Sequence, residues 1–262
     1  MPTEKPAFLK VATYNIHKGV QGLGPARRLE IHNLGLAIEQ LDADIVCLQE
    51  VRKVHRREEK YFKHWPELPQ AEFLAPPGYE AVYRTNAVTR HGEHGNAVLS
   101  RWPVVSHRHE DISDHRFEQR GLLHVEVQVG DARAAHSSPT APISVHVIVV
   151  HLGLIPASRV RQVAQLHKYI AREVPEDAPL LVAGDFNDWG EKLDAPIRRM
   201  GLTPAHAAGQ APPRTFPSRV PFFSLDRVYT RGLRCIATHV PRSAAWARMS
   251  DHLPLVAELQ LV

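Results

Sequence analysis

"LLVAGDFNDWG", residues Leu180 to Gly190, runs a short apolar stretch into a glycine and then into Asp185, Asn187 and Asp188. The apolar part reads as a buried strand. Asp185 and Asn187 then stand where the strand leaves its sheet, two residues apart and free to point the same way. The end of a strand in an α/β protein is a frequent place for chemistry. Asp and Asn after a Gly are also ordinary turn formers, because their side chains bond the local backbone. On this stretch alone both readings stand.

Working outward, similar runs recur: "FLKVATYNI", "ADIVCLQE", "GNAVLS", "GLLHVEVQV", "PISVHVIVVHL", "APLLVAGD", "SLDRVYT" and "LPLVAELQL". Several are too continuously apolar to leave one face in water, which predicts sheets covered on both sides. Helical periodicity is clearest from Arg27 to Leu41 and from Ser158 to Val174. In the second helix Val160, Val163, Leu166 and Ile170 recur at helical spacing, with Arg159, Arg161 and Lys168 expected at the surface. Strands and helices mixed in this way give an α/β protein. The Ala-, Pro-, Ser- and Gly-rich segments Asp131 to Pro142 and Thr203 to Pro221 read as loops. The charged segment "VRKVHRREEKYFKHW" reads first as a solvated face, although its position directly after Glu50 keeps a functional role open.

The length of 262 residues suits one large domain spanning 1–262, and no linker divides it. A hydrophobic content of 44% with 23% charged residues is that of a globular protein. The start, "MPTEKPAFLK", has no apolar stretch behind its charges, and no later run reaches the about 18 apolar residues of a membrane span, so a cytoplasmic protein without a transmembrane segment is expected. Cys47 and Cys235 each fall inside a predicted strand and are expected to be buried free thiols. The net charge of +4 suits an anionic substrate without demanding nucleic acid.

Polar residues at the ends of apolar runs can now be collected: Asn15 in "TYNIHKG", Glu50 in "CLQEV", His151 in "VVHLG", Asp185 and Asn187 in "GDFND", Asp226 in "SLDRVY", and Asp251 and His252 in "MSDHLPL". Any one alone is weak. A Glu after a strand is usually a surface residue, and His151 on a Val-rich run reads equally as a satisfied core histidine.

With these motifs the chain resembles the endonuclease/exonuclease/phosphatase superfamily of metal-dependent phosphoesterases, which includes DNase I-like nucleases, abasic-site endonucleases, inositol polyphosphate 5-phosphatases and neutral sphingomyelinases. "GDFN" with a terminal "SDH" carries the resemblance most specifically, "LQE" supports it, and "YNI" is weaker. "HGNAVLSRWPV" and "QRGLLHVEV" look most like a bacterial branch of small members. The resemblance implies a four-layer α/β sandwich, two packed sheets flanked by helices, with the site at one edge where strands of both sheets end.

It also implies roles. Glu50 is the principal metal ligand, with Asn15 and Asp251 close by; all offer oxygen, which suits Mg²⁺, with Mn²⁺ as a substitute. Asp185 orients or deprotonates the attacking water and Asn187 holds it. His252 is an imidazole held by Asp226, whose other available partner is the neighbouring Arg227. His151 matches a candidate acid for the leaving oxygen, and Arg120 in "QRG" and Asn96 in "HGNA" match positions that contact phosphate.

The expected function is Mg²⁺-dependent hydrolysis of a phosphodiester by a monomer, the partner being nucleic acid or a phospholipid-like ester. A monoesterase on a soluble phosphate and a noncatalytic binding module on the same fold are the alternatives. A degenerate module would be expected to have lost one of Glu50, Asp185, Asn187, Asp226 or His252, and none is missing. No aromatic stacking platform or long basic tail is visible to commit the protein to DNA or RNA.

Overall fold

The structure, a computed structural model, describes residues 8–130, 142–206 and 209–262. The opening residues 1–7 and most of the predicted loop Asp131 to Pro142, namely 131–141, lie outside the described residues. The strands are β1 (Phe8–Asn15), β2 (Val20–Gln21), β3 (Arg28–Leu29), β4 (Ile45–Val51), β5 (Glu80–Thr89), β6 (Gly92–Ser100) and β7 (Val104–Asp111). They continue with β8 (Gly121–Val129), β9 (Ile143–His151), β10 (Leu180–Asp185), β11 (Thr203–Pro204), β12 (Asp226–Arg231), β13 (Leu233–His239) and β14 (Leu255–Leu261). The helices are α1 (Ile31–Leu41), α2 (Arg56–Tyr61), α3 (Gln70–Leu74), α4 (Pro156–Glu173), α5 (Asp194–Arg198) and α6 (Trp246–Met249).

Two six-stranded mixed sheets dominate, in the orders β13-β14-β1-β4-β6-β5 and β11-β12-β10-β9-β8-β7. The pairs β1·β4 and β9·β10 are parallel, and their other neighbours run antiparallel. Alternation sorts each strand between two cores. Leu9, Val11, Ile45, Cys47 and Val98 of the first sheet face Val125, Val147, Val149, Leu181, Ala183 and Val228 of the second in one shared cluster. The other face of the first sheet packs Ala12, Tyr14, Val46 and Leu48 on α1, and that of the second packs Ile148, Val150 and Val182 on α4. The layers are therefore helix, sheet, sheet, helix, the arrangement expected of this α/β chain.

Burial on α4 follows Val163, Leu166 and Ile170, each worth roughly 1.5–3 kcal/mol when fully buried. The periodicity misplaces two neighbours. Val160 is exposed, while Arg159 is buried and donates to the carbonyls of Gly153 (3.1 Å) and Leu154 (2.6 Å), clamping the loop that follows His151. The first helix begins only at Ile31, because Arg28 and Leu29 pair with Gln21 and Val20 as a small ribbon. Cys47 is buried, but Cys235 on the edge strand β13 is only half-buried; both are free thiols. Thr203–Pro204 is a short strand within the predicted loop Thr203 to Pro221.

In the charged segment after Glu50, Arg52 is not solvated: it is buried and, with Arg27, grips the Glu58 carboxylate. Phe62 stacks with Trp65, and the Arg27 guanidinium lies 5.6 Å from the Phe62 ring centre. The segment thus spends part of its charge and its rings on its own structure.

The glycine of "GDFN" does not serve a turn. Gly184 lies within β10 at φ +148°, and a Cβ there would stand 1.8 Å from the Val150 carbonyl oxygen of β9. Its role is close approach of two backbones, which also brings the ends of β9 and β10 together. Gly184→Ala is expected to cost at least about 2 kcal/mol of unfolding free energy, since neither strand can move without displacing both cores. Urea denaturation checks this, and an unchanged midpoint would contradict it.

Candidate active site

The alternation that builds the shared core also builds the site. Asn15, His151, Asp185 and Asp226 continue the inward-facing columns of β1, β9, β10 and β12 at one edge of the sandwich. There Asn15 Nδ2 donates to Asp185 Oδ2 at 3.1 Å, joining the two sheets. Asp185 is almost fully buried; its Oδ2 lies 3.5 Å from His151 Nε2 and 3.7 Å from His252 Nε2, and its Oδ1 accepts the Asn187 backbone N–H at 2.9 Å. Asn187 sits at φ +48°, and its side-chain Nδ2 donates to the Leu152 carbonyl at 2.9 Å.

His252 Nδ1 lies 2.8 Å from Asp226 Oδ2, an oxygen that also accepts from Thr215 Oγ1 at 2.5 Å. Arg227, next along β12, takes the opposite face of the strand, and the carboxylate nearest it is that of Glu191 at 3.7 Å. Asp226 therefore pairs with the ring.

Glu50 reaches the site by a different device. In β4 Ile45 and Cys47 point into the shared core, and strict alternation would send residue 50 outward. The register with β6 shifts between Leu48 and Val51, and Glu50 takes φ +57°. A bulge of this kind re-aims one side chain. Lys18 Nζ then lies 2.7 Å from Glu50 Oε2, and His17 Nδ1 lies 3.2 Å from Asp251 Oδ1.

Arg120 is mostly buried, donating to Glu118 Oε1 at 3.2 Å, and its charge is felt by both His151 and His94. Asn96 is fully buried and donates to the carbonyls of Gly121 (3.0 Å) and Val149 (3.2 Å), so its amide group bridges the sheets and only Oδ1 is left free.

The charges are set by burial and by one another. Burial opposes a charge on His252, but Asp226 and Asp185 outweigh it and raise the ring to about 10. Burial also raises Asp185 into the neutral range, with Asp226 adding to it and the His252 charge opposing it. His151 is driven well below its ordinary value by burial and by the Arg120 charge, so it is neutral. For Glu50, burial pushes upward but the charge and hydrogen bond of Lys18, helped by His17, hold it well below the usual carboxylate range. The hydrogen bond to Asp251 raises His17.

The sequence did not announce His17, Lys18, His94 or Thr215. The first two follow Asn15 directly in "TYNIHKG", which was the available signal; Thr215 sits in a loop with none. The structure also gathers an aromatic wall that the sequence did not show. Trp189 meets Phe216 at 5.4 Å and Phe223 at 4.8 Å between ring centres, Phe216 lies 4.9 Å from the His252 ring, and Phe222 joins Phe223 at 4.5 Å. Trp189 and Phe222 are exposed to solvent. A cavity of about 410 Å³ lies elsewhere, between α1 and α6.

The donor set fits a hard cation. Glu50 Oε2 is buried, and among the described residues its close contact is the Lys18 ammonium, which leaves lone-pair capacity for an ion. Among the described residues no group of three or more His, Cys, Asp or Glu converges on a metal position. That is compatible with Mg²⁺, which keeps several waters and needs one or two carboxylates.

The profile of the Endonuclease/Exonuclease/phosphatase family matches residues 12–252. The chain belongs to that family. Members of the endonuclease/exonuclease/phosphatase family are phosphoesterase hydrolases. Among its relatives is the uncharacterised protein YbhP of Escherichia coli (strain K12), 38% identical over 268 residues that cover 100% of both chains. The fold is shared with a functionally unknown conserved protein of Enterococcus faecalis V583, at TM-score 0.72 and 20% identity over 97% of this chain and 100% of that one. It is shared too with ANGEL2, a 2',3'-cyclic phosphatase, at TM-score 0.67 and 17% identity over 98% and 96% of the two chains. Among the described residues no helix is long and apolar enough to cross a membrane.

The electrostatics predict unequal histidines. In the metal-free protein, NMR should show His252 as imidazolium at pH 8 and His151 neutral at pH 6. Because the folded value of His252 is raised to about 10 from an ordinary 6.5, its stabilising charge is complete below pH 6.5 and is lost as pH climbs toward 10. Asp226→Asn should return the ring toward its ordinary value and flatten that loss. An unshifted ring in the variant would break the proposed pairing.

Proposed function

We propose that the protein is a divalent-metal-dependent phosphodiesterase. The observation that carries this reading is the Asp185 carboxylate, buried, held by Asn15, and facing both His151 and the charged His252. Its raised pKa suits it to accept a proton from water near neutral pH, where an ordinary aspartate is too weak a base. Asn187 fixes Asp185 through its backbone N–H, and with Nδ2 committed to Leu152 its Oδ1 is left to accept from the same water. His252, kept charged by Asp226, presents Nε2 as donor to a phosphoryl oxygen. His151 lies across Asp185 from that ring and, neutral in the free protein, gains basicity when an anionic phosphoryl group offsets Arg120, which equips it to protonate the leaving oxygen.

Glu50, with Asn15 and Asp251, would hold the metal. When bound, Mg²⁺ neutralises charge on phosphoryl and leaving oxygens. Arg120 contributes a further fixed positive charge beside His151. Asn96, with its amide group spent on two carbonyls, supports the cleft between the sheets, and its Oδ1 is buried and unpartnered.

The aromatic wall of Trp189, Phe216, Phe222 and Phe223 favours a diester over a small monoester, because it offers a surface to a planar or apolar group beyond the phosphate. A noncatalytic module has no use for two nearly unexposed carboxylates around one charged ring.

The purified protein is expected to hydrolyse a chromogenic phosphodiester with Mg²⁺ or Mn²⁺ and to stop in EDTA; full turnover in excess chelator would end this reading. Asp185→Asn should lower kcat about 10²- to 10⁴-fold, as loss of a general base does. Glu50→Gln should instead raise the metal concentration for half-activity by at least about tenfold. Identical responses of the two variants in a metal titration would merge their roles.

A second expectation concerns the wall. Replacing Trp189 and Phe222 by Ala should raise KM about fivefold or more for a diester carrying a nucleobase, the scale of one lost stacking contact, and spare small diesters. Equal changes on both substrates would remove the wall from the substrate path.

A further inference from the structure

Lys18 occupies an unusual backbone. His17, Lys18 and Gly19 all have positive φ, at 45°, 62° and 70°, a conformation that non-glycine residues hold only when their surroundings enforce it. The enforcement is visible. Gln70, 2% exposed, donates from Nε2 to the Lys18 carbonyl at 2.9 Å and accepts from the Arg52 backbone N–H at 2.8 Å through Oε1. One side chain therefore ties the turn that carries Lys18 to the strand end that carries Glu50. Glu30 N–H bonds the Gly19 carbonyl at 2.9 Å, and a Cβ on Gly19 would meet Ile31 Cδ1 at 2.9 Å, so the turn is also closed from behind.

What this fixed turn presents is a compact cation on a flexible stem. Its Nζ lies 2.7 Å from Glu50 Oε2, a single-point charge pair at a partly open position that a divalent cation can replace. The pair is partly open to solvent, with side-chain exposures of 29% for Lys18 and 16% for Glu50. The Lys18 charge is felt by His94, as is that of Arg120, whose buried Nε is unpartnered. A lysine released from Glu50 thus remains within a cationic cleft suited to a phosphoryl group.

Resting on the phosphoesterase reading above, we propose that Lys18 is a tethered counter-cation. It neutralises Glu50 in the metal-free protein, yields that carboxylate to an incoming divalent cation, and then binds a phosphoryl oxygen. The strained turn keeps its ammonium close enough to serve both positions. Metal entry and phosphate binding are thereby coupled: the ion that takes Glu50 frees the charge that receives the anion.

The test uses the full-length protein without substrate. Mn²⁺ binding is followed by the loss of the free-ion EPR signal for the native protein, Lys18→Met and Lys18→Gln, with thermal melts to show that each is folded. If the pair holds Glu50 about nine-tenths of the time, its removal should tighten Mn²⁺ binding about tenfold, since apparent affinity scales with the competent fraction. Inorganic phosphate titrated calorimetrically into the Mn²⁺-saturated proteins should bind both variants at least about fivefold more weakly than the native chain, the loss expected for one charged contact. Equal or weaker Mn²⁺ binding by the folded variants overturns the counter-cation role, and unchanged phosphate affinity overturns the coupling. Absence of Mn²⁺ binding in native and variant proteins alike would instead overturn the metal-dependent reading itself, and this inference with it.

Discussion

Two sheets lie face to face by burying apolar inward-facing positions, and along β1, β9, β10 and β12, where Thr13 and Thr230 are buried with their hydroxyls hydrogen-bonded, charged and ionisable groups enter only at one edge. Columns of Val, Leu and Ala fill the space between the sheets until Asn15, His151, Asp185 and Asp226 replace them at a shared edge. Because each lies in register with its apolar predecessors, its direction is inherited from packing rather than set by a loop. The hydrogen bond from Asn15 to Asp185 is the point at which the two sheets meet as chemistry.

Burial then supplies the electrostatics. Carboxylates without solvent must be neutralised by protons or by neighbours, and Asp185 and Asp226 share the ring of His252 for that purpose. The histidines are differentiated by the same logic. One lies between two carboxylates and is charged, while the other, beside Arg120, is neutral. Two imidazoles a short distance apart are thus suited to donate and to accept, without any difference in their own chemistry.

Much of this was legible in the sequence, for physical reasons. Strands buried on both faces announce themselves as unbroken apolar runs, and polar residues that close several such runs at once mark a shared edge where apolar packing gives way to buried polar side chains. The edge strands β5 and β7 were not legible, because their outer faces are wet and their composition resembles that of loops. Nor could pattern show the bulge that turns Glu50 into the cleft, since alternation predicts the opposite direction. Lys18, Thr215 and the aromatic wall depend on turns and loops whose paths only the folded chain reveals. Arg159 escapes the helical pattern because a buried arginine satisfied by backbone carbonyls looks, in sequence, like any surface cation.

The contact between Asn15 and Asp185 spans 170 residues of chain, and Ser250, whose hydroxyl donates to the Asn15 carbonyl, lies 235 residues from it. Contacts of such separation form only after the intervening chain has surrendered its freedom, so they belong to the late stages of folding. A chain that has collapsed around one sheet has no such polar cluster at all, rather than a weakened one. The polar edge therefore comes into being with the last long-range contacts, as a property of the closed sandwich and of neither sheet alone.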